Sequence, residues 1–377
     1  MNFSLHHRAL LASLFFFVSA LNAALPLPGT DGPGNSDATP GYLVKVTDLP
    51  ALEKAKNVID ARSGEFFARP GVQAAGISWA ADGSPVIKLF LDTDASAAGI
   101  PAAVDGIPVI TEFSGKFFAL NVSCEDRGRD DCDVIRAEAA AAQPPNQRDW
   151  HPRPVPIGVS AGHVDITAGT LGCRVTRGCH NYALSNAHVF ADENAGVVGD
   201  HILQPSPSDG GVDPDDVIAT LYESVPIVMG TSGSVKNRVD AAIAATDASL
   251  VGTTTRTNGY GTPRSQTINP QVGMTVQKYG RSSAQKSGYI DAINTTVLVG
   301  YKEGTARFVE QTIIKSVDEA IKFSRAGDSG SLIVVEDGAD DRKPVGLLFA
   351  SSSDNVLTIA NPINFVLAAL DIEIDGE

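Results

Sequence analysis

Cations are scarce in this chain. Its 377 residues hold 29 lysines and arginines against 44 aspartates and glutamates, a formal charge of −15. A nucleic-acid binder needs cations to neutralise phosphates, so this balance argues against that class. It suits the acidic surface of a soluble exported protein. Charged residues as a whole are few, at 19%, whereas Gly (36) and Pro (22) are frequent. That mix disfavours a helical bundle and predicts a loop-rich, largely β protein. There are four cysteines, in two local pairs, Cys124 with Cys132 and Cys173 with Cys179. Neither paired C-x-x-C nor H-E-x-x-H spacing supports the rival reading, zinc. The pairs predict two short disulfide clips and an oxidising compartment. No metal or cofactor is expected, and no repeat of solenoid period is present.

Long apolar runs are also rare. One runs from Ala9 to Leu21 behind Arg8, with small residues at Ala20, Ala23 and Ala24. It predicts an export signal over 1–23 and a secreted or periplasmic protein. The run is too short to cross a bilayer comfortably, although a retained anchor is the alternative. Removing the signal takes away Arg8 and no acid, which leaves a charge of −16.

Residues 24–41 are rich in Gly and Pro and predict a flexible lead-in. Residues 42–140 predict a small α/β domain. Its helix follows Asp48 and Pro50, with Leu52, Ala55 and Ile59 on one face. Strands are expected at Ala74–Trp79 and Val86–Leu91, joined through Asp82-Gly83, and at Ile107–Phe113. An alanine-rich helix is expected near Ala95–Ala103. Five prolines between 141 and 156 predict an exposed linker. From 157 to 377 short β-rich runs alternate with Gly-rich turns, the pattern of a barrel or sandwich. These runs are Tyr182–Leu184, Asp240–Ala244, Met274–Tyr279, Thr295–Tyr301, Ser331–Val335 and Val345–Ala350. Asn364–Leu370 predicts a closing helix.

Three local signals carry chemistry. In Gly327-Asp328-Ser329-Gly330-Ser331 a hydroxyl sits between two glycines. A hydroxyl needs a base beside it to become a nucleophile, and N–H donors aimed at the oxyanion it creates. The first glycine lets the N–H groups of Gly327 and Ser329 converge, and the second leaves room for a substrate. In Ser185-Asn186-Ala187-His188-Val189 an imidazole follows a strand. In Val239-Asp240-Ala241-Ala242-Ile243-Ala244 a carboxylate heads an apolar strand, where burial is expensive without a partner. A His N–H is such a partner, and the acid then fixes the tautomer and orientation of the base. Asp240 follows His188 by 52 residues, and Ser329 follows Asp240 by 89.

With that order and spacing, the region from about Ile157 to Leu370 resembles the trypsin-like serine peptidases. Gln277-Lys278-Tyr279-Gly280-Arg281-Ser282-Ser283, with Gly288 after it, is similar to a segment of bacterial members. Val345-Gly346-Leu347-Leu348 resembles the strand that lines their cleft. Residues 71–120, the Leu171–His188 hairpin and Asn361-Pro362-Ile363 extend the resemblance to a mostly uncharacterised bacterial group with plant relatives. The resemblance implies an all-β two-barrel chymotrypsin-like domain preceded by a small α/β domain. It implies a secreted serine endopeptidase with His188, Asp240 and Ser329 as triad, and Gly327 and Ser329 as oxyanion hole. A protein or peptide is the implied partner.

Some positions depart from that pattern. No Arg or Lys stands before an Ile or Val where an activating cut would fall, so Asp328 is expected to pair with an internal cation, Lys278 or Arg281. Phe323, not an acid, stands where the primary pocket has its floor. With Phe349, Ala350 and Ser351 near the cleft wall, this implies an apolar or small primary side chain. Three other readings stay open. Gly158-Val159-Ser160-Ala161-Gly162 matches a hydrolase elbow, which needs the order Ser, acid, His, but the last histidine, His201, comes only 41 residues after Ser160 and the Pro-rich approach lacks the strand that should precede the elbow. The acidic loop 208–216 could hold Ca²⁺, but lacks EF-hand spacing. A catalytically silent or latent protease-fold binding module is the non-enzyme alternative.

Overall fold

The β-rich runs form two large, mainly antiparallel sheets and a separate two-stranded parallel one. The structure, a computed structural model, describes residues 49–120, 146–166 and 168–377. The expected export signal (1–23), the lead-in (24–41) and the Cys124–Cys132 clip lie outside these residues. The described residues all fall in one unit.

The leading segment holds α1 (Leu49–Phe67), β1 (Val72–Trp79), β2 (Pro85–Leu91), β3 (Ala103–Val104), β4 (Ile107–Phe113) and β5 (Phe117–Ala119). α1 buries Ala55 and Ile59, with Leu52 packed beside them, against Ile77, Ile87 and Leu89 of the sheet. Gly83 turns the β1–β2 hairpin at φ +82°, and the Asp82 carboxylate accepts the Ser84 N–H at 2.9 Å. β4 then joins β2 in parallel. The expected alanine-rich helix is only one 3-10 turn, Asp94–Ala97. Gly99 at φ +76° and then Pro101 stop it.

The first barrel contains β6 (Val155–Ile157), β7 (Ser160–His163), β8 (Gly169–Thr170), β9 (Cys173–Arg177), β10 (His180–Ser185), the one-turn helix α2 (Ala187–Phe190), β11 (His201–Leu203), β12 (Val217–Ser224), β13 (Ala242–Thr246) and β14 (Val251–Thr255). The second contains β15 (Thr275–Gly280), β16 (Ala284–Tyr301), β17 (Gly304–Ser316), β18 (Leu332–Val335), β19 (Pro344–Ser352) and β20 (Leu357–Pro362), followed by α3 (Ile363–Leu370) and β21 (Glu373–Ile374). The order β15-β18-β19-β20-β17-β16, with β16 pairing back onto β15, closes the second barrel. The first is an antiparallel sheet ordered β21-β9-β10-β13-β12-β11-β7-β8. This is a two-barrel chymotrypsin-like fold preceded by a small α/β segment.

Two further stretches depart from their sequence reading. From residue 146 on, the Pro-rich stretch is woven into the structure. Val155 is buried, β6 pairs with β14, and Gln147 donates to the Tyr279 hydroxyl at 2.6 Å. The Cys173–Cys179 disulfide does not form, and both thiols are free. Cys173 faces the core opposite Leu184, at the far end of the β9–β10 hairpin from the Gly178-Cys179 turn. At about 3.3 Å of rise per strand residue, that separation exceeds disulfide reach.

β16 and β17 outrun their barrel, and the excess of β16 carries β1, with Ala74 opposite Val297. The α/β segment is therefore hydrogen-bonded into the second barrel's own sheet. Charge ties the same junction. Lys88 Nζ lies 2.6 Å from Glu112 and 2.8 Å from Asp291, and Lys315 lies 2.7 Å from Glu112. Lys88→Ala leaves two largely buried acids short of a cation, at an expected cost of about 3 kcal/mol. Urea unfolding should show one cooperative transition moved to lower denaturant. Two separate transitions would contradict the shared sheet.

Candidate active site

β10 and β13 are neighbours, with Ser185 opposite Ala242. That register brings His188, just past one strand, to Asp240, just before the other. Asn186 fixes the turn between them by donating its side-chain amide to the Asp240 carbonyl at 2.8 Å. His188 Nδ1 lies 2.5 Å from Asp240 Oδ2, and the His188 backbone N–H donates to Oδ1 at 3.2 Å. A carboxylate only accepts, so Nδ1 carries the proton and Nε2 is left as the basic nitrogen.

Asp240 is fully buried, which a carboxylate tolerates only with donors around it. The second barrel supplies two of its neighbours. The Tyr301 hydroxyl donates to Oδ2 at 2.9 Å, and the Asn361 side-chain oxygen accepts the Asp240 N–H at 2.9 Å. Burial, reinforced by the charge of Asp240, pushes the Tyr301 hydroxyl well above its ordinary range, so it remains a neutral donor. Sequence reading misses Tyr301. It ends an expected strand, and nothing in its neighbourhood marks it as a partner for Asp240.

Ser329 comes from the second barrel, on a turn that glycine makes possible. Gly327 and Gly330 have φ of +90° and +91°. A Cβ on Gly330 would meet Ser185 Oγ at 2.1 Å and the Thr170 carbonyl at 2.3 Å. Thr170 of the first barrel pins the turn twice, through its N–H to the Ser329 carbonyl at 2.8 Å and its hydroxyl to the Gly327 carbonyl at 2.8 Å. The Gly330 N–H is held by the Leu348 carbonyl at 2.8 Å. Ser329 Oγ rests on the Phe349 carbonyl at 3.2 Å. The Gly327 N–H donates to the Leu120 carbonyl at 3.1 Å.

Of the two cations expected for Asp328, Lys278 is the partner, at 2.8 Å, with both side chains fully buried. Arg281 is engaged elsewhere, with Asp209 at 2.5 and 2.6 Å. Asp328 also accepts the N–H groups of Ser282, Ser283 and Arg325 and the Ser283 hydroxyl. Burial alone would raise its carboxyl. The Lys278 charge and these donors outweigh burial and hold it below the ordinary carboxylate range.

The expected pocket residues divide. Phe323 is fully buried, in an apolar cluster that also holds Leu120, Ile314 and Leu348. The Phe349 ring lies 4.9 Å from Phe308, and its carbonyl accepts the Leu120 N–H and the Ser329 hydroxyl. The Ser351 hydroxyl bonds Asn355 at 3.0 Å. Ser160, the residue of the hydrolase-like elbow, is held by Asp209 at 2.6 Å and Ser206 at 2.8 Å, with no imidazole at its hydroxyl. In the acidic loop, Asp209 serves Arg281, and Asp213 pairs with His201 at 2.6 Å. Among the described residues no group of three or more His, Cys, Asp or Glu gathers as a metal site.

No family model and no curated protein matches this chain. Solved structures similar to it include Thermobifida fusca protease A, at 16% identity, covering 59% of this chain and 99% of that one, with a TM-score of 0.41. A glutamic-acid-specific serine protease is similar at 20% identity, covering 58% of this chain and 100% of its own, with a TM-score of 0.41. The Cellulomonas bogoriensis chymotrypsin is similar at 17% identity, covering 59% and 99%, with a TM-score of 0.38.

The depressed Asp328 carboxyl contributes stability above its unfolded value of about 4, and that contribution drains away as pH falls through the lower folded value. Asp328→Asn removes this term and leaves Lys278 buried without its counter-charge. At pH 7 the expected loss is about 3–5 kcal/mol. Denaturant titrations from pH 7 to pH 3 should also show a shallower acid-side slope than the parent. An unchanged slope would mean that Asp328 is not held ionised.

Proposed function

We propose that this chain is a secreted serine endopeptidase in which His188, Asp240 and Ser329 act together. The observation that carries this reading is the buried His188–Asp240 pair on the first barrel, with the glycine turn that bears Ser329 packed from the other barrel against Ser185, three residues before His188. Ser329 Oγ rotates off the Phe349 carbonyl and gives its proton to His188 Nε2 as it attacks the substrate carbonyl carbon. The carbonyl oxygen becomes an anion, met by the N–H groups of Gly327 and Ser329. His188 then protonates the departing amine, and the C–N bond breaks to leave an acyl-Ser329 ester. Water, activated by the same imidazole, hydrolyses the ester and regenerates the serine. Asp240 keeps Nδ1 protonated and stabilises the imidazolium.

The Asp328–Lys278 pair supports a turn held in place without an activating chain cut. Phe323 at the pocket position favours an apolar primary side chain over a basic one. Export is supported by the apolar run Ala9–Leu21, and among the described residues no helix is long and apolar enough to cross a membrane. A second reading, a silent or latent protease-fold module, draws on one observation: His188, Asp240 and Ser329 are each fully buried.

A fluorophosphonate probe separates the two. Mass analysis of the treated full chain should find the phosphonyl group on Ser329, and no adduct in Ser329→Ala. Asp240→Asn should slow peptide hydrolysis by about 10⁴ while leaving the fold intact. A folded chain that takes no phosphonate would favour the silent module.

A further inference from the structure

β5 ends against the turn that bears Ser329. It runs antiparallel to β19, with Phe117 opposite Ser352, Phe118 opposite Ser351 and Ala119 opposite Ala350. The ladder extends at both ends, through the Ser353 N–H to the Lys116 carbonyl at 2.8 Å and the Leu120 N–H to the Phe349 carbonyl at 3.3 Å. An extended peptide added to a sheet edge in this way is a common mode of peptide recognition. The end of the strand is what sets it apart. The Leu120 carbonyl accepts the Gly327 N–H at 3.1 Å, which is the donor assigned above to the oxyanion. The Leu120 side chain is enclosed, 1% exposed, in the apolar cluster that contains Phe323.

We propose that residues 117–120 are this protein's own substrate: Ser329 cuts the peptide bond that follows Leu120, and Phe117–Leu120 stays in the cleft as bound product. The proposal rests on the peptidase reading and names what that site accepts, a leucine as the residue whose carbonyl is attacked. Ladder, carbonyl and side chain each have a counterpart. Phe349 takes the Leu120 N–H, Gly327 supports its carbonyl oxygen, and the Phe323 cluster houses its side chain. Attack forms the Oγ–C bond at Leu120. The bond to the Asn121 nitrogen breaks, and that nitrogen leaves with the proton held by His188. Water then releases a free Leu120 carboxylate. Because the segment is held by its own chain, the step proceeds as an intramolecular reaction. β5 also pairs with Val299 and Gly300 of β16, and β1 pairs with the same strand, so the product stays tethered to the barrel after the cut.

The full chain and its Ser329→Ala variant are purified and their intact masses and new termini determined. The expected result is a parent split into one piece ending at Leu120 and another beginning at Asn121, with Ser329→Ala left whole. Leu120→Asp should lose this cut and hydrolyse an added Phe-Phe-Ala-Leu coumarin amide at least tenfold faster than the parent. Should that variant not fold, the parent's kcat/KM for the leucine peptide against its lysine counterpart serves instead. A preference for leucine of at least about 100-fold is expected, and equal rates would overturn the proposal. Ser329-dependent phosphonylation or peptide turnover in a chain that stays uncut after Leu120 overturns the proposal and leaves the peptidase reading standing. No Ser329-dependent chemistry in any variant removes both.

Discussion

The Asp328 carboxylate, buried against Lys278, is the constraint on which the cleft depends. Two opposite charges out of water are costly to place and more costly to separate. The pair therefore fixes the turn around it. Gly327 precedes Asp328, and Ser329 follows it. The N–H groups of Ser282, Ser283 and Arg325 donate to the same carboxylate and restrain it further. β15 supplies Lys278, and β18 begins just past the turn, so the closure of the second barrel also sets the position of the serine.

Asp240 plays the corresponding part at the seam between barrels. It belongs to the first barrel by chain, but Tyr301 and Asn361 of the second hold it. Thr170 works in the other direction, reaching from the first barrel to the Ser329 turn. These crossed contacts make the relative placement of His188 and Ser329 a property of both barrels. The leading α/β segment is a third party, since it hydrogen-bonds to β16 and sends β5 along β19.

Much of this was legible before any coordinates. Gly-Asp-Ser-Gly reads as a turn because its first glycine lets the backbone turn and its second leaves room beside the serine. His188 and Asp240 read as partners because each stands at the end of an apolar strand, where an unpaired polar group is expensive. What could not be read depends on tertiary register. Lys278 and Arg281 stand three residues apart, and only the pairing of β15 with β18 turns Lys278 toward Asp328. Tyr301 lies 61 residues from Asp240 and shares no motif with it. The Cys173–Cys179 spacing looks like a clip until the hairpin sends the two thiols to opposite ends. β5 is three residues long, and nothing in Phe117-Phe118-Ala119 announces that it will lie on β19.

The hold of the Asp328–Lys278 pair on the proposed nucleophile Ser329 is measured most directly as the rate of Ser329 acylation by a p-nitrophenyl ester in a double-mutant cycle. Lys278→Met, Asp328→Asn and the double variant are compared with the parent by stopped flow, with folding checked by circular dichroism. The account predicts that each single change slows acylation at least as much as the double change does, because either one leaves a buried charge unpaired. Parent-like acylation in a folded Lys278→Met would contradict it.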